Sequence, residues 1–528
     1  MRADKARFGA LLSVVLVNGL LAATATWAAP SSSIEAKAAA RFDVVAHDRV
    51  QLRLFLKNMP KGGDLHNHLW GAPYAEDFLA WAAADGQCLT TGAKPEIVTG
   101  PCDGPGRTSA KDLGRRDPTL YNRAIDALSM RNYAPGADGA TASGHDQFFS
   151  TFGRFAASAV RNMGPMITVT RDYAAGDRVS YVESSANPNT MRAFAVAGQA
   201  DWNGDFEGAF ARLAPGLAPM VAEVGREMDA ALADADRRQG CAPGVAAKVG
   251  PCGVMLGFQP FVERAQPPGF VFAQMLAAFV LVEADPRFVG VNIVNPEDDP
   301  ISLADYSLHM RMFRFLAARY PKVPLSLHAG ELTLGLVSPR DLTFHIREAV
   351  EVAGAKRIGH GVDIAYEDDA EGLLARMARD RVAVEINLTS NDVILGVKGA
   401  DHPIALYRKA GVPVVLSTDD EGVSRIDMTN EYLRAATEHG LRYRDLKGIA
   451  RDSLEYAFLP GASFWIAKGV RVQACAEAGE VCDAFLAQSV KATAQWRLEQ
   501  DFETFERSFS NRQGSSRLKS RFTLKRAQ

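Results

Sequence analysis

At 528 residues, with 47% apolar and 23% charged side chains, the chain can bury a large core, either as one barrel with insertions or as two or three domains. Its formal charge of −3 gives no reason to expect nucleic acid or another polyanion as a partner. The glycine fingerprint of dinucleotide folds, the P-loop, tandem finger-like Cys/His spacings and recurring units are all missing from it.

In chain order, Arg2, Lys5 and Arg7 precede a mostly apolar run from Phe8 to Ala23, followed by small residues up to Ala29 and then Pro30. This is the layout of a secretory signal cleaved between Ala25 and Ala29, so residues 1–29 are read as a signal peptide. A retained membrane anchor is the rival, because the run approaches the lower limit for spanning. No later stretch reads as a span, so no stable membrane segment is expected after processing, and the expected location is the periplasm or the medium. The cysteines agree with export. They fall into three local pairs, Cys88 with Cys102, Cys241 with Cys252 and Cys475 with Cys482, and sequence proximity favours pairing within each. No Cys-x-x-Cys spacing supports a zinc cluster instead.

Residues 30–58 read as an N-terminal helical extension, and residues 59–69 as the first strand. A helix is expected over Ala72–Ala84, loop-rich chain over 85–118, a Gly/Ala-rich loop over Ala134–Gly144 and an amphipathic helix over Phe148–Val160. Further strands are expected at Val179–Ser184, Val254–Phe258, Phe288–Val294, Val323–Leu327, Arg357–Gly359, Val382–Leu388 and Val412–Leu416. Between them fall helices at 205–238, Phe270–Glu283, Leu303–Ala318, Phe344–Val352 and 368–379. Strands alternating with helices indicate parallel α/β architecture, and eight strands with polar clusters at their C-terminal ends favour a (β/α)8 TIM barrel over an open sheet. The barrel with its insertions occupies 59–510. Its C-terminal part is helical through Glu455–Phe458 and Phe464–Ile466, with a last helix at Glu499–Phe509, and 511–528 form a basic, solvated tail.

Four strand ends carry chemistry. His66 and His68 lie two apart on one strand face, where both imidazoles can reach one ion. With His328 and Asp419 they supply three imidazoles and one carboxylate, a set suited to one Zn2+ and acceptable to other first-row divalent ions. Glu331 lies three residues beyond His328, where it can carry a proton to a substrate acceptor; the plain alternative is a capping or ion-pairing glutamate. His360 ends another strand and is a candidate to orient or deprotonate a water, or else a structural histidine. Asp419 and Asp420 cannot point the same way in extended chain, so one is expected to face the metal and the other the substrate. The joint pattern points to a metal-dependent hydrolase.

The segments Met59-Pro60-Lys61-Gly62-Gly63-Asp64-Leu65-His66-Asn67-His68-Leu69-Trp70-Gly71, Ser326-Leu327-His328-Ala329-Gly330-Glu331, Arg357-Ile358-Gly359-His360-Gly361 and Leu416-Ser417-Thr418-Asp419-Asp420 resemble, in order, four motifs of the adenosine deaminase family. The resemblance covers roughly residues 55–470, and the exported layout is most similar to the secreted, growth-factor-related branch. It implies a one-zinc barrel that hydrolyses adenosine, and 2′-deoxyadenosine, to inosine and ammonia. His66, His68, His328 and Asp419 would bind zinc, Glu331 would protonate purine N1, and His360 would orient and activate the water. Asp420 would hydrogen-bond the ring, and the backbone at Gly330 would touch the base. The chain departs from the family at Trp70, where an acid commonly contacts the ribose. It departs again at Asn295-Pro296-Glu297-Asp298, where a Gly-x-Glu exit is usual, and at Glu421, where proline is usual. These departures put the sugar side in doubt, with Trp70 and Asn295 as the substrate-contact candidates. The rivals are a deaminase of a modified nucleoside or other amino-purine, a catalytically silent nucleoside-binding or signalling protein, and a purely structural barrel. Either a monomer or a homodimer fits.

Overall fold

The computed structural model describes residues 33–134, 143–241 and 250–510. The signal-like segment, the basic tail and most of the Gly/Ala-rich loop at 134–144 lie outside the described residues.

Eight parallel strand positions follow one another around a closed sheet. The first strand, Gly62–His68, pairs with the second, Val179–Ser185, which pairs with the third, Met255–Gln259. Pro260 has no N–H for the ladder, and beyond it the third strand resumes as Phe261–Glu263 beside the fourth, Asn292–Val294. A bridge between Val291 and Leu325 leads to the fifth strand, Ser326–Ala329. The sixth (Arg357–His360), seventh (Ala383–Ile386) and eighth (Val414–Leu416) strands continue in register. Closure comes from the bridge of Asn67 with Asp419: His68 N donates to Asp419 O at 3.2 Å, and Asp419 N donates to His66 O at 2.8 Å. Both bonds involve intended metal ligands, so the join that closes the barrel also sets their spacing.

The first strand is polar yet buried. Asp64 accepts from the Thr418 hydroxyl at 2.5 Å, and the Asn67 carbonyl accepts from Ser184 Oγ at 2.8 Å, so its polar groups find partners on the neighbouring strands. Lys61 Nζ donates to the carbonyls of Leu56, Met59 and Asp177, tying the end of helix Arg49–Asn58 to the barrel floor.

Helices cover the sheet. Pro268–Ala284 is apolar on all sides because it is enclosed, with Phe270, Phe272, Met275, Leu276, Phe279 and Leu281 buried. Phe206–Gln239 buries a single stripe (Ala209, Leu213, Leu217, Met220, Val224, Met228, Ala231, Ala235) at the three- and four-residue spacing of one helical face. Its Pro215 and Pro219 sit on the exposed side, and it ends at Gly240 in the left-handed region. The N-terminal helices Ser33–Val45 and Arg49–Asn58 meet the last helix, Val490–Arg507, through Phe42, Phe55 and Phe505.

Three expectations need correction. Residues 85–118 hold a small antiparallel sheet, Cys88–Thr90 with Ile97–Val98 and Arg107–Ser109, stapled by the Cys88–Cys102 disulfide. Strands of two or three residues are too short to carry an alternation pattern. Phe464–Ile466 is not helical: Trp465–Ala467 pairs with Val470–Arg471 across a turn at Lys468-Gly469. The helix expected at Phe344–Val352 is one α turn, His345–Glu348, followed by a wider π turn, Ala349–Ala353. Helices Pro118–Ala127, Met163–Gly176 and Asn189–Gly198 had not been expected. The cysteines pair locally, with bonds between Cys241 and Cys252 and between Cys475 and Cys482 besides the first. Among the described residues no helix is long and apolar enough to cross a membrane.

Candidate metal and proton-transfer site

The expected ligands converge at the C-terminal ends of the strands. His66 Nε2 and His68 Nε2 lie 3.0 Å and 3.2 Å from His328 Nε2, and they approach Asp419 Oδ1 to 3.3 Å and 3.1 Å. Ligand atoms of all four residues fall within 4.8 Å of one another. His66, His328 and Asp419 are buried, and His68 is slightly open to solvent.

The hydrogen bonds behind these rings decide what the cluster can hold. His66 Nδ1 donates to Glu385 Oε2 at 2.7 Å. His328 Nδ1 lies 2.9 Å from Asn292 Oδ1, which also accepts from Ile293 N and is therefore an acceptor. Both rings thus carry a proton on Nδ1 and direct Nε2 toward each other, so the facing lone pairs are joined by a cation or, without one, by a proton on His66. The residues present therefore fit a divalent cation. Burial would lower the His66 pKa, but hydrogen bonds to Asp419 and Glu385 outweigh it and raise it to about 10. The proton taken up would sit on Nε2, so proton and cation compete for one lone pair. Burial, reinforced by the neighbouring histidines, keeps His328 neutral. Asp419 resists burial because His66 and His68 hydrogen-bond its carboxylate, which holds it well below the ordinary range.

The backbone makes room for this geometry. A Cβ on Gly359 would lie 2.6 Å from His66 Cε1, so only glycine lets the sixth strand pass beside that ring. Asn295, His360 and Asp419 all occupy the left-handed region, with φ of 80°, 67° and 58°, at the exits of the fourth, sixth and eighth strands. Each costs on the order of 1 kcal/mol, and such positions concentrate at functional sites.

Residues 253–463 match the adenosine deaminase family. That span contains His328, Glu331, His360 and Asp419. The aminodeoxyfutalosine deaminase of Streptomyces coelicolor is 37% identical over 147 residues, 28% of this chain and 34% of that protein. The adenosine deaminase of Clostridium perfringens is 34% identical over 142 residues, 27% of this chain and 40% of that protein. Over these spans the chain is similar in sequence to adenosine-deaminase-like metal-dependent hydrolases. It spans only about a third to two fifths of the length of these relatives. Among solved structures, a zinc-bound amidohydrolase from Burkhoderia ambifaria aligns over 87% of this chain and 94% of its own at 18% identity and TM-score 0.51. Arabidopsis ADAL complexed with IMP aligns over 85% and 99% at 16% identity and the same score. Both are likenesses of fold. The superfamily match does not single out the secreted, growth-factor-related branch.

Around this donor set, Glu331 is buried and stands 3.5 Å, through Oε1, from His360 Nδ1. Burial, then the nearby carboxylates of Asp419 and Glu297, pushes its pKa well above the usual range, so it carries a proton near neutral pH. Asp420 is also pushed well up, by burial and then by Asp419, and its Oδ1 is buried without a hydrogen-bond partner among the described residues. Gly71 makes room for that carboxylate, because a Cβ there would overlap Asp420 Oδ1. The polar backbone groups of Gly330 are already engaged: its N–H donates to Glu297 Oε1 at 3.1 Å, and its carbonyl accepts from Val362 N at 2.7 Å. Asn295 Oδ1 is buried without a hydrogen-bond partner among the described residues, and Trp70 is half-buried against the apolar core.

Two supporting groups were not anticipated as such. Glu297 accepts from the backbone N–H of both Gly330 and Glu331 and is paired with His345 Nδ1 at 2.7 Å; Arg264, nearby, donates to the His328 carbonyl. Against burial, the His345 hydrogen bond and charge hold Glu297 ionised. Glu385 and Arg357 form the second group, with Arg357 also reaching Glu183. A glutamate inside the apolar run Val382–Leu388 was the available signal, since a buried charge demands a partner. Two large clefts lie away from this site. One of about 660 Å3 opens at the opposite end of the barrel, lined by Pro60, Val179 and Val254. The other, about 1360 Å3, lies among the C-terminal helices near Arg451 and Glu499.

Proposed function

We propose that the protein is a zinc-dependent aminohydrolase of purine nucleosides, converting adenosine, and 2′-deoxyadenosine, to inosine and ammonia. The observation that carries this reading is a buried Glu331, its carboxyl pushed toward the protonated form by burial, beside His360 and next to three imidazoles and an aspartate whose donor atoms converge on one point. A zinc ion held by His66, His68, His328 and Asp419 would supply positive charge that makes water acidic enough to attack near neutral pH. Glu331 gives its proton to purine N1, which makes C6 more electrophilic. Oxygen from water bonds to C6, the C6–N bond breaks, and the amino group leaves as ammonia with one of the water protons. The second water proton replaces the one Glu331 gave up. Asp420, neutral by burial, offers the ring a hydrogen bond, and His360 orients the attacking oxygen.

Trp70 and Asn295 favour a second reading, a deaminase of a modified nucleoside or another amino-purine. Trp70 supplies no acceptor for a ribose hydroxyl. The three disulfides support an oxidising compartment, consistent with export to the periplasm or the medium. Ammonia release from a panel of amino-purines by zinc-replete protein tests the assignment. Turnover of adenosine supports the first reading, turnover confined to another amino-purine supports the second, and no turnover of any rejects both.

A further inference from the structure

The hydrogen-bond chain behind His360 has only one consistent direction. Ile404 N lies 3.2 Å from His402 Nδ1, and a backbone N–H can only donate, so His402 Nδ1 is bare and its proton is on Nε2. His402 Nε2 is 3.0 Å from Asn391 Oδ1, which fixes the Asn391 amide with its carbonyl toward His402. The Asn391 NH2 then faces His360 Nδ1 at 3.0 Å, and a donor there requires His360 Nδ1 to accept. The proton of neutral His360 is left on Nε2, which has no hydrogen-bond partner among the described residues and lies 4.0 Å from Asp419 Oδ2.

We propose that His402 is a positioning residue that, through Asn391, fixes His360 as the Nε2–H tautomer, so that His360 donates a hydrogen bond to the attacking oxygen and does not take its proton. His402 and Asn391 are buried, so solvent does not compete for these bonds. Burial, followed by the His439 and Arg434 charges, lowers the His402 pKa to about 3, and the ring stays neutral through the physiological range. The other nitrogen beside His360 Nδ1 agrees: the Asn387 amide nitrogen is 3.4 Å away. The tautomer follows from the geometry alone, while its role toward the attacking oxygen rests on the proposed hydrolytic function. Asn391 and His402 lie 31 and 42 residues beyond His360 in the chain. They are brought behind it by the helix Leu388–Leu395 that follows the seventh strand and by the turn at Gly399–Asp401.

The test is the ring-nitrogen NMR signature of His360 in 15N-labelled, zinc-loaded protein, assigned by its loss in His360→Gln. We expect a bare Nδ1 and a protonated Nε2 throughout about pH 6 to 8. In Asn391→Asp the carboxylate accepts from both histidines and inverts His360 to Nδ1–H. On the proposed substrate, kcat should fall about 100-fold with KM little changed. His402→Gln keeps an N–H near the Nε2 position and should preserve the wild-type signature. A wild-type His360 protonated at Nδ1, or an Asn391→Asp variant with an unchanged signature, overturns the proposal; the wild-type spectrum decides even if a variant fails to fold. The predicted tautomer in a protein that deaminates no amino-purine would sink the functional reading and leave the hydrogen-bond assignment standing.

Discussion

Glu385 Oε2 holds His66 Nδ1 at 2.7 Å, and both side chains are sealed from solvent. The other oxygen of the same carboxylate accepts from Ser326 and from Arg357, which also reaches Glu183 on the second strand. Against burial, the Arg357 charge and then hydrogen bonds from His66 and Ser326 hold Glu385 down at about 2, so it is a full anion behind the ligand ring. Glu385→Gln removes that charge while keeping the shape. The variant should bind zinc about 10- to 100-fold more weakly, read by competition against a calibrated chelator. Unchanged affinity would show that the ring orients itself.

Metal binding should depend on pH with a definite sign. With His66 raised to about 10, metal-free protein carries a proton there at neutral pH and must release it when the cation arrives. Apparent zinc affinity should therefore rise about tenfold per pH unit between about pH 6.5 and 10, with about one proton released per ion, measured by calorimetry in buffers of different ionisation enthalpy. The same raised pKa stabilises metal-free protein fully below about pH 6.5, and that contribution is lost as pH rises through about 10. Metal-loaded protein should lack this loss.

Glu331→Gln separates holding the ion from moving the proton. Glu331 is not one of the four convergent ligands, and its proton is kept in place by burial and the surrounding carboxylates. The amide cannot give that proton to the ring. Turnover should fall at least about 100-fold while zinc stoichiometry stays at one, read by steady-state kinetics alongside metal analysis. Equal activity in the variant would remove the proton-transfer role.

The barrel and the donors were legible because their signals are local. Runs of strand length alternate with helical periodicity, and four of the strand ends carry a ligand or a proton-transfer residue. What was not legible depends on residues far apart in sequence meeting in space. Nothing near His66 announces Glu385, 319 residues away, and nothing near His360 announces Asn391 or His402. The left-handed backbone at Asn295, His360 and Asp419 also escaped, since none of these is glycine. Asn295 stands where glycine is usual, and asparagine is among the few other residues that tolerate this region. The small sheet around Cys88 was read as loop because its three strands together hold only a few paired residues.

That small sheet gives a stability prediction. The Cys88–Cys102 bond closes a short loop whose strand Cys88–Thr90 is buried beneath it. A double substitution, Cys88→Ala with Cys102→Ala, should lower unfolding stability by about 2–4 kcal/mol, read from urea midpoints at matched zinc. Zinc stoichiometry should be unaffected, since neither cysteine is among the four convergent ligands.

Zinc content of the folded chain tests the centre of the account most directly. After equilibration with zinc and removal of excess, one ion per chain is predicted, held among His66, His68, His328 and Asp419, with loss of that ion in Asp419→Ala protein that keeps its fold. Native protein that retains no stoichiometric ion, or holds it away from these four side chains, would contradict it.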